Sequence, residues 1–290
     1  MFRKVLKYDM AAIKRYWWMI AVVILAMSVI GSFVFRVVYT SAETMNEKDS
    51  LLLQLTVIAG SIFLFICIIA AFSSVLVTTV MTHLRYYRNF FTDEGYLTFT
   101  LPVRRKTLYL SKTVNSMLWS FAHALLLVVA AAIALTLAPI PEEGHFLNLT
   151  FWDALFDGIA EIWHEIGAWT LVYVFEFLLM YVCASAASVG LIQLCITIGS
   201  VVAKKQKLLA SIGIYYAVNI GTSTVSQIAV NIGVIFLMPG ILVLVESATA
   251  LVCYTSLALA LLLGILIFAA FAMVLHFVAL GLLERKLNLA

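Results

Sequence analysis

The stretch Arg85–Lys112, RYYRNFFTDEGYLTFTLPVRRKTLYLSK, is the one long polar and basic interval between two strongly apolar segments of this chain. Thr92 followed by Asp93 and Glu94 has the form of a helix start. A hydroxyl cap and early carboxylates suit the unpaired N–H groups at the positive end of a helix. Pro102 predicts a break just before it, and Arg104–Lys112 resumes as a basic run leading into the next apolar segment. The expectation is a helix of roughly seven to nine residues, suspended on the charged side of a membrane. An ordinary charged loop is the alternative.

The membrane follows from composition. The 290 residues are 64% hydrophobic and 11% charged, with a mean hydropathy of +1.09. A soluble domain carries about 25% charged residues, so the chain reads as an all-α integral membrane protein. A formal charge of +3 is too small to point to nucleic acid. Cys67, Cys183, Cys195 and Cys253 all sit inside apolar runs, with neither zinc-site nor disulfide-framework spacing, and read as packing residues.

Residues 1–16 set Val5, Leu6, Met10 and Ile13 against Arg3, Lys4, Lys7, Lys14 and Arg15, which predicts an interfacial helix that ends before the chain turns inward. With no small-residue cleavage site after it, the first apolar segment reads as a retained anchor. Six spans are expected at about 17–39, 51–81, 113–138, 167–202, 208–232 and 250–280, all within a single transmembrane domain covering 1–290. Arg36 lies where it can snorkel to the interface. His123 falls inside the third span, as a proton site or, with more weight, as a helix-to-helix hydrogen bond. Between spans three and four, Phe151–Trp163 sets Trp152, Leu155, Phe156, Ile159 and Trp163 at helical spacing opposite acids, which predicts an interfacial helix. Glu176, near the outer end of span four, is either a buried functional carboxylate or a group facing an aqueous vestibule. Residues 233–244 are interrupted by Pro239 and Gly240, which predicts a re-entrant or interfacial element before span six.

Charge sets the orientation. The N-terminus, the 85–112 interval, the 203–207 turn AKKQK and the C-terminus together hold 16 of the 18 Lys and Arg residues. By the positive-inside rule all four are cytoplasmic, and so are both termini.

Glu94-Gly95, Leu101-Pro102-Val103, Arg105 and Lys112 carry a further signal. With them the chain resembles the type-2 ABC transporter permeases, the membrane-spanning subunits of bacterial ABC exporters. Tyr96 stands where that family usually has Thr, and Ser111 where it usually has Gly. In layout the resemblance covers nearly the whole chain; in residues it covers chiefly 85–112. It implies that 1–16 is an elbow helix and that 92–101 is a coupling helix docking on a separate ATPase subunit. The implied contacts are Thr92, Asp93, Glu94, Gly95, Tyr96, Leu97, Phe99, Leu101 and Pro102, with Lys204 and Lys205 as a second, smaller contact. It also implies a second permease, identical or homologous, a bacterial plasma-membrane location and an outward-moving substrate. The apolar spans favour a hydrophobic or amphipathic one, such as a lipid-like molecule, a peptide or a drug.

The chain itself has no G-x-x-x-x-G-K-[ST] loop, so no cofactor is expected in it, and ATP and Mg²⁺ would belong to the partner ATPase. His164-Glu165 begins a metalloprotease-like pair, but Ala168 stands at the second His position and breaks the pattern. Candidate pathway or vestibule residues are Glu176 and His123. An ion- or proton-coupled secondary transporter, or a non-transporting membrane scaffold, is the alternative.

Overall fold

The computed structural model describes residues 1–45, 50–100, 102–138, 147–203, 205–247 and 250–286, with backbone alone at 225–226, 229–230, 232–247, 250–251 and 285–286. Among these residues every regular element is an α-helix: α1 Phe2–Met45, α2 Leu51–Phe91, α3 Asp93–Thr100, α4 Arg105–Thr136, α5 Leu149–Ile166, α6 Trp169–Val202, α7 Lys207–Ser247 and α8 Ala250–Lys286. Five helices are long and apolar enough to cross a membrane: α1, α2, α4, α6 and the Val252–Glu284 part of α8. The chain is therefore an all-α protein of membrane type. The expected fifth span, 208–232, lies within α7, whose described surface includes the exposed Asn219, Thr222, Ser223 and Thr224.

Three expectations about breaks are corrected. The elbow between residues 16 and 17 is absent, because α1 continues unbroken from Phe2 to Met45. No Gly or Pro lies between Ala11 and Trp18, so the change from an amphipathic to an apolar pattern alters what surrounds the helix without interrupting its hydrogen bonds. Similarly, α2 continues past Met81, the expected end of the second span, through the basic Arg85–Phe91. Finally, α7 is continuous through Pro239 and Gly240, so the predicted re-entrant break is not there. A proline in a membrane helix is tolerated where neighbouring groups compensate for the freed carbonyl.

The chain forms two compact units. The first comprises Met1–Val5, His83–Met117 and Ile166–Ala290. Within it α6 packs on α8 and, to a lesser extent, on α7. Gly199 permits the second contact, since a Cβ there would lie 2.5 Å from Ser211 N and 2.6 Å from its Cα. The core of this unit joins the end of α2 (Tyr86, Phe90, Phe91), the start of α4 (Leu108, Tyr109), Ile196 of α6, and Ala279 and Leu283 of α8.

The second unit comprises Leu6–Thr82 and Leu118–Glu165. There Ala21 and Ile24 of α1 pack with Leu126 and Ala130 of α4, and Trp17 lies 5.2 Å from Trp119. Asn148 caps α5, its Oδ1 accepting from Phe151 N at 3.1 Å, and Trp152 Nε1 donates to Thr136 Oγ1 at 2.9 Å. No residue of α5 is buried, which suits an amphipathic helix lying at a surface. α2 is barely covered by protein: 6% of its apolar window is buried, at a mean hydropathy of 2.7. Surface of that kind suits a membrane environment or a packed partner.

Candidate functional site

The candidate site is α3 and the part of the first unit on which it rests. Asp93 and Glu94 occupy its first turn, where carboxylates favour the positive helix end. Thr92, however, does not cap it. The Thr92 hydroxyl donates backward to Arg88 O at 2.6 Å, while its own carbonyl accepts from Gly95 N at 2.8 Å. Only this one residue separates α2 from α3, and the end of α2 leaves unpaired carbonyls that compete for the hydroxyl. α3 stops at Thr100, and Pro102 explains the stop by restricting the residue before it.

One face of α3 is fixed. Gly95 is buried against the end of α2, where a Cβ would meet Phe90 O at 2.9 Å and Phe90 C at 3.1 Å. Phe99 lies 5.5 Å from Phe90, and the Arg105 guanidinium sits 5.2 Å over the Phe99 ring. Phe90 in turn lies 5.0 Å from Tyr86 with the rings tilted at 49°, and Tyr86 lies 6.2 Å from Tyr109. The other face is open. Asp93, Glu94, Tyr96, Leu97 and Thr100 are exposed, Tyr96 at 64% and Leu97 at 73%. An exposed aromatic and leucine beside two acids make a suitable patch for a protein partner.

Beneath this seat lies a polar layer that the sequence reading missed. Tyr86 OH and Thr197 Oγ1 share a hydrogen bond of 2.9 Å, and Thr197 Oγ1 also reaches Gln193 O at 2.8 Å. Thr113 Oγ1 donates to Gln193 Oε1 at 2.9 Å, and Tyr109 OH pairs with His276 Nδ1 at 2.8 Å. With the Asn89 amide turned to satisfy both neighbours, its oxygen accepts from Lys112 Nζ at 2.8 Å. Ser111, Lys112, Thr113, Asn115, Ser116, Gln193 and Thr197 are all buried. Asn115 Oδ1, Ser116 Oγ and Gln193 Nε2 have no hydrogen-bond partner among the described residues. The available signal was the run SKTVNS at 111–116, polar at five of six positions where an apolar span should begin.

The remaining candidates stand elsewhere. Leu101 and Lys204 lie outside the described residues; Pro102 is exposed, as is Lys205 in the turn between α6 and α7. Glu176 of α6 is 6% exposed, and its Oε2 lacks a hydrogen-bond partner among the described residues. One turn earlier Tyr173 OH donates to Tyr254 O of α8 at 3.0 Å. A buried carboxylate is thus present, and an exposed vestibule group is not. His123 joins α4 to α2 twice within the second unit, through Ser74 Oγ at 3.0 Å and Thr78 Oγ1 at 3.1 Å. With both ring nitrogens engaged, it serves as a helix-to-helix bond. Among the described residues no cluster of three or more His, Cys, Asp or Glu side chains could hold a metal ion. No protein-family profile, characterised protein or solved structure matches this chain.

Proposed function

We propose that the chain is the membrane-spanning permease subunit of an ATP-driven exporter of the ABC type. It would work in the bacterial plasma membrane with both termini in the cytoplasm, beside a second permease, identical or homologous. α7 would cross as the fifth span and α8 as the sixth. The observation that carries the reading is the two-sided character of α3. Its inner face is wedged by Gly95 and Phe99, while Tyr96, Leu97, Asp93 and Glu94 are free to meet a partner. A separate ATPase would bind that face, holding ATP and Mg²⁺ itself. Its closure would displace α3, and the shared core would pass the displacement to α6 and α8. The apolar surfaces of the spans suit a hydrophobic or amphipathic substrate.

The test is a pull-down from detergent-solubilised membranes with this chain as bait, assaying ATPase activity in the eluate. An ATPase is expected to co-purify with the wild type and to be lost from the Asp93→Lys/Glu94→Lys double variant, whose membrane insertion is unchanged. Retention of the ATPase by that variant would refute the assignment of α3.

The second reading, an ion- or proton-coupled transporter, has one observation in its favour: the buried Glu176 carboxylate with an unpartnered oxygen. It predicts that no ATPase co-purifies and that Glu176→Gln abolishes gradient-driven uptake into proteoliposomes.

A further inference from the structure

We propose that one face of α1, over residues 7–18, seats the phosphate of an anionic phospholipid headgroup. This face uses no residue of α3 or its support and so stands apart from the permease reading. Asp9 and Ile13 are each 3% exposed, whereas Lys7, Tyr8, Ala11, Lys14, Arg15 and Trp18 are exposed. At about 3.6 residues per turn the exposed six fall within an arc of roughly 120°, opposite Asp9 and Ile13. Ile13 belongs to the apolar stripe that would float the helix on a bilayer, but it is buried in protein. What this segment leaves outside is therefore mainly its charge. Asp9 is the only acid among residues 1–18, and its burial leaves the exposed face wholly cationic. Among the described residues none of Lys7, Lys14 and Arg15 is paired with a carboxylate.

Ala11 is the centre of this face. Residues three and four apart on a helix are surface neighbours, with Cβ atoms about 5–6 Å apart. Lys7 and Tyr8 stand four and three residues before Ala11, and Lys14 and Arg15 stand three and four after it. The small Ala11 side chain leaves room between two ammonium groups, one guanidinium and one phenol. All four are hydrogen-bond donors, and three are charged. Several oxygens around one phosphorus can accept from such a ring, and charge-assisted bonds from Arg and Lys are the strong ones.

Depth identifies the source of the phosphate. α1 runs from this face into its apolar segment without a break. Trp18, 53% exposed, lies on the same face, and exposed Trp collects at the membrane–water boundary. Lys14 and Arg15 precede it by four and three residues, roughly 4–6 Å along the axis at about 1.5 Å per residue. The polar layer outside the hydrocarbon is about 5–8 Å deep on each side, so both cations fall within it. That layer holds the phosphates of the bilayer at a higher local concentration than any soluble anion reaches. A zwitterionic headgroup brings its own amine to the site, whereas an anionic one does not. A face with three cations and no exposed acid therefore selects the anionic lipid.

The test titrates the full chain, purified in mild detergent, with phosphatidylglycerol or phosphatidylcholine and reads the first lipid bound by native mass spectrometry. Phosphatidylglycerol is expected to bind about 100-fold more tightly, the ratio for three surface cations at about 1 kcal/mol each. Lys14→Gln/Arg15→Gln should weaken its binding about 30-fold. Arg3→Gln/Lys4→Gln removes the same charge roughly 10–12 Å from Ala11, beyond a Debye length of about 8 Å, and should weaken it less than about threefold. Ala11→Glu, which keeps the helix and sets a carboxylate among the donors, should erase the preference between the two lipids. Equal affinity for both lipids in the wild type, a measurement that needs no variant, would overturn the proposal. Equal losses in the two double variants, both monodisperse, would also overturn it, because the attraction would then belong to the whole segment. Displacement of phosphatidylglycerol by equimolar inorganic phosphate would assign the face to a soluble phosphate compound. Displacement by an equimolar oligoglutamate peptide would assign it to an acidic protein. Either result would overturn the lipid assignment.

Discussion

Replacing Gly95 by alanine tests whether α3 is a fixed element or a loosely hung one. In an exposed helix, glycine to alanine stabilises by about 1 kcal/mol, because alanine loses less backbone freedom on folding. At Gly95 the added Cβ would lie 2.9 Å from Phe90 O and 3.1 Å from Phe90 C. Both are backbone atoms, so the contact is relieved only by moving α3 off the end of α2. Forcing extra volume into a packed site costs about 1–3 kcal/mol, which leaves a net weakening of about 0–2 kcal/mol after the propensity gain. Gly158 on α5 is the control, since a Cβ there meets nothing within 4 Å. Gly158→Ala should stabilise its helix by about 1 kcal/mol. The difference between the two variants, about 1–3 kcal/mol, is equivalent to roughly 5- to 150-fold in the local opening equilibrium. Amide hydrogen exchange on the nanodisc-embedded protein reads it directly, through peptides covering 93–100 and 149–166. Exchange in α3 should accelerate in Gly95→Ala, while exchange in α5 slows in Gly158→Ala. Slower exchange of α3 in Gly95→Ala, the result of a propensity gain that meets no opposing contact, would refute the close packing of α3 on Phe90.

Three further outcomes follow from the packing. Thr113→Val leaves Gln193 Oε1 buried without its donor and should lower stability by about 1–3 kcal/mol, whereas Thr113→Val/Gln193→Leu removes both partners and should be nearly neutral; thermal unfolding of both variants in detergent checks the asymmetry. Ser74→Ala/Thr78→Val strips both hydroxyls from His123 and should cost about 1–3 kcal/mol at some 0.6–1.7 kcal/mol per interhelical bond, read as a lower midpoint in the same assay. Gly199→Leu drives a side chain into the Ser211 backbone and should separate α6 from α7, seen as faster proteolysis at the 203–206 turn with unchanged cleavage elsewhere.

The short helix was legible because its signals are local. Two acids after a hydroxyl residue and a proline nine positions after Asp93 bracket an element observed at Asp93–Thr100. The use of the Thr92 hydroxyl was not legible, since both helix ends compete for it and only the junction geometry decides. Likewise Glu176 could be placed on a span from sequence, but which way it points depends on the rotation of α6 against α8. In α6, α7 and α8 the polar and apolar residues do not separate onto opposite faces, so they carry no periodicity from which that rotation could be read.

By itself, the sequence determined that this is an all-helical chain of membrane type, that its basic residues collect at four places, and that a short acidic helix stands between two apolar segments. Those are properties of composition and near neighbours, and water and hydrocarbon sort them without reference to the rest of the fold. The tertiary structure alone decided that Gly95 is a contact point, that SKTVNS at 111–116 forms a buried polar layer with Gln193 and Thr197, and that burial of Asp9 leaves one face of α1 cationic. Each of these depends on which surfaces of distant helices meet. In a chain where most surfaces are equally apolar, hydrophobic pattern does not choose among them, and close fit and a few interhelical hydrogen bonds do.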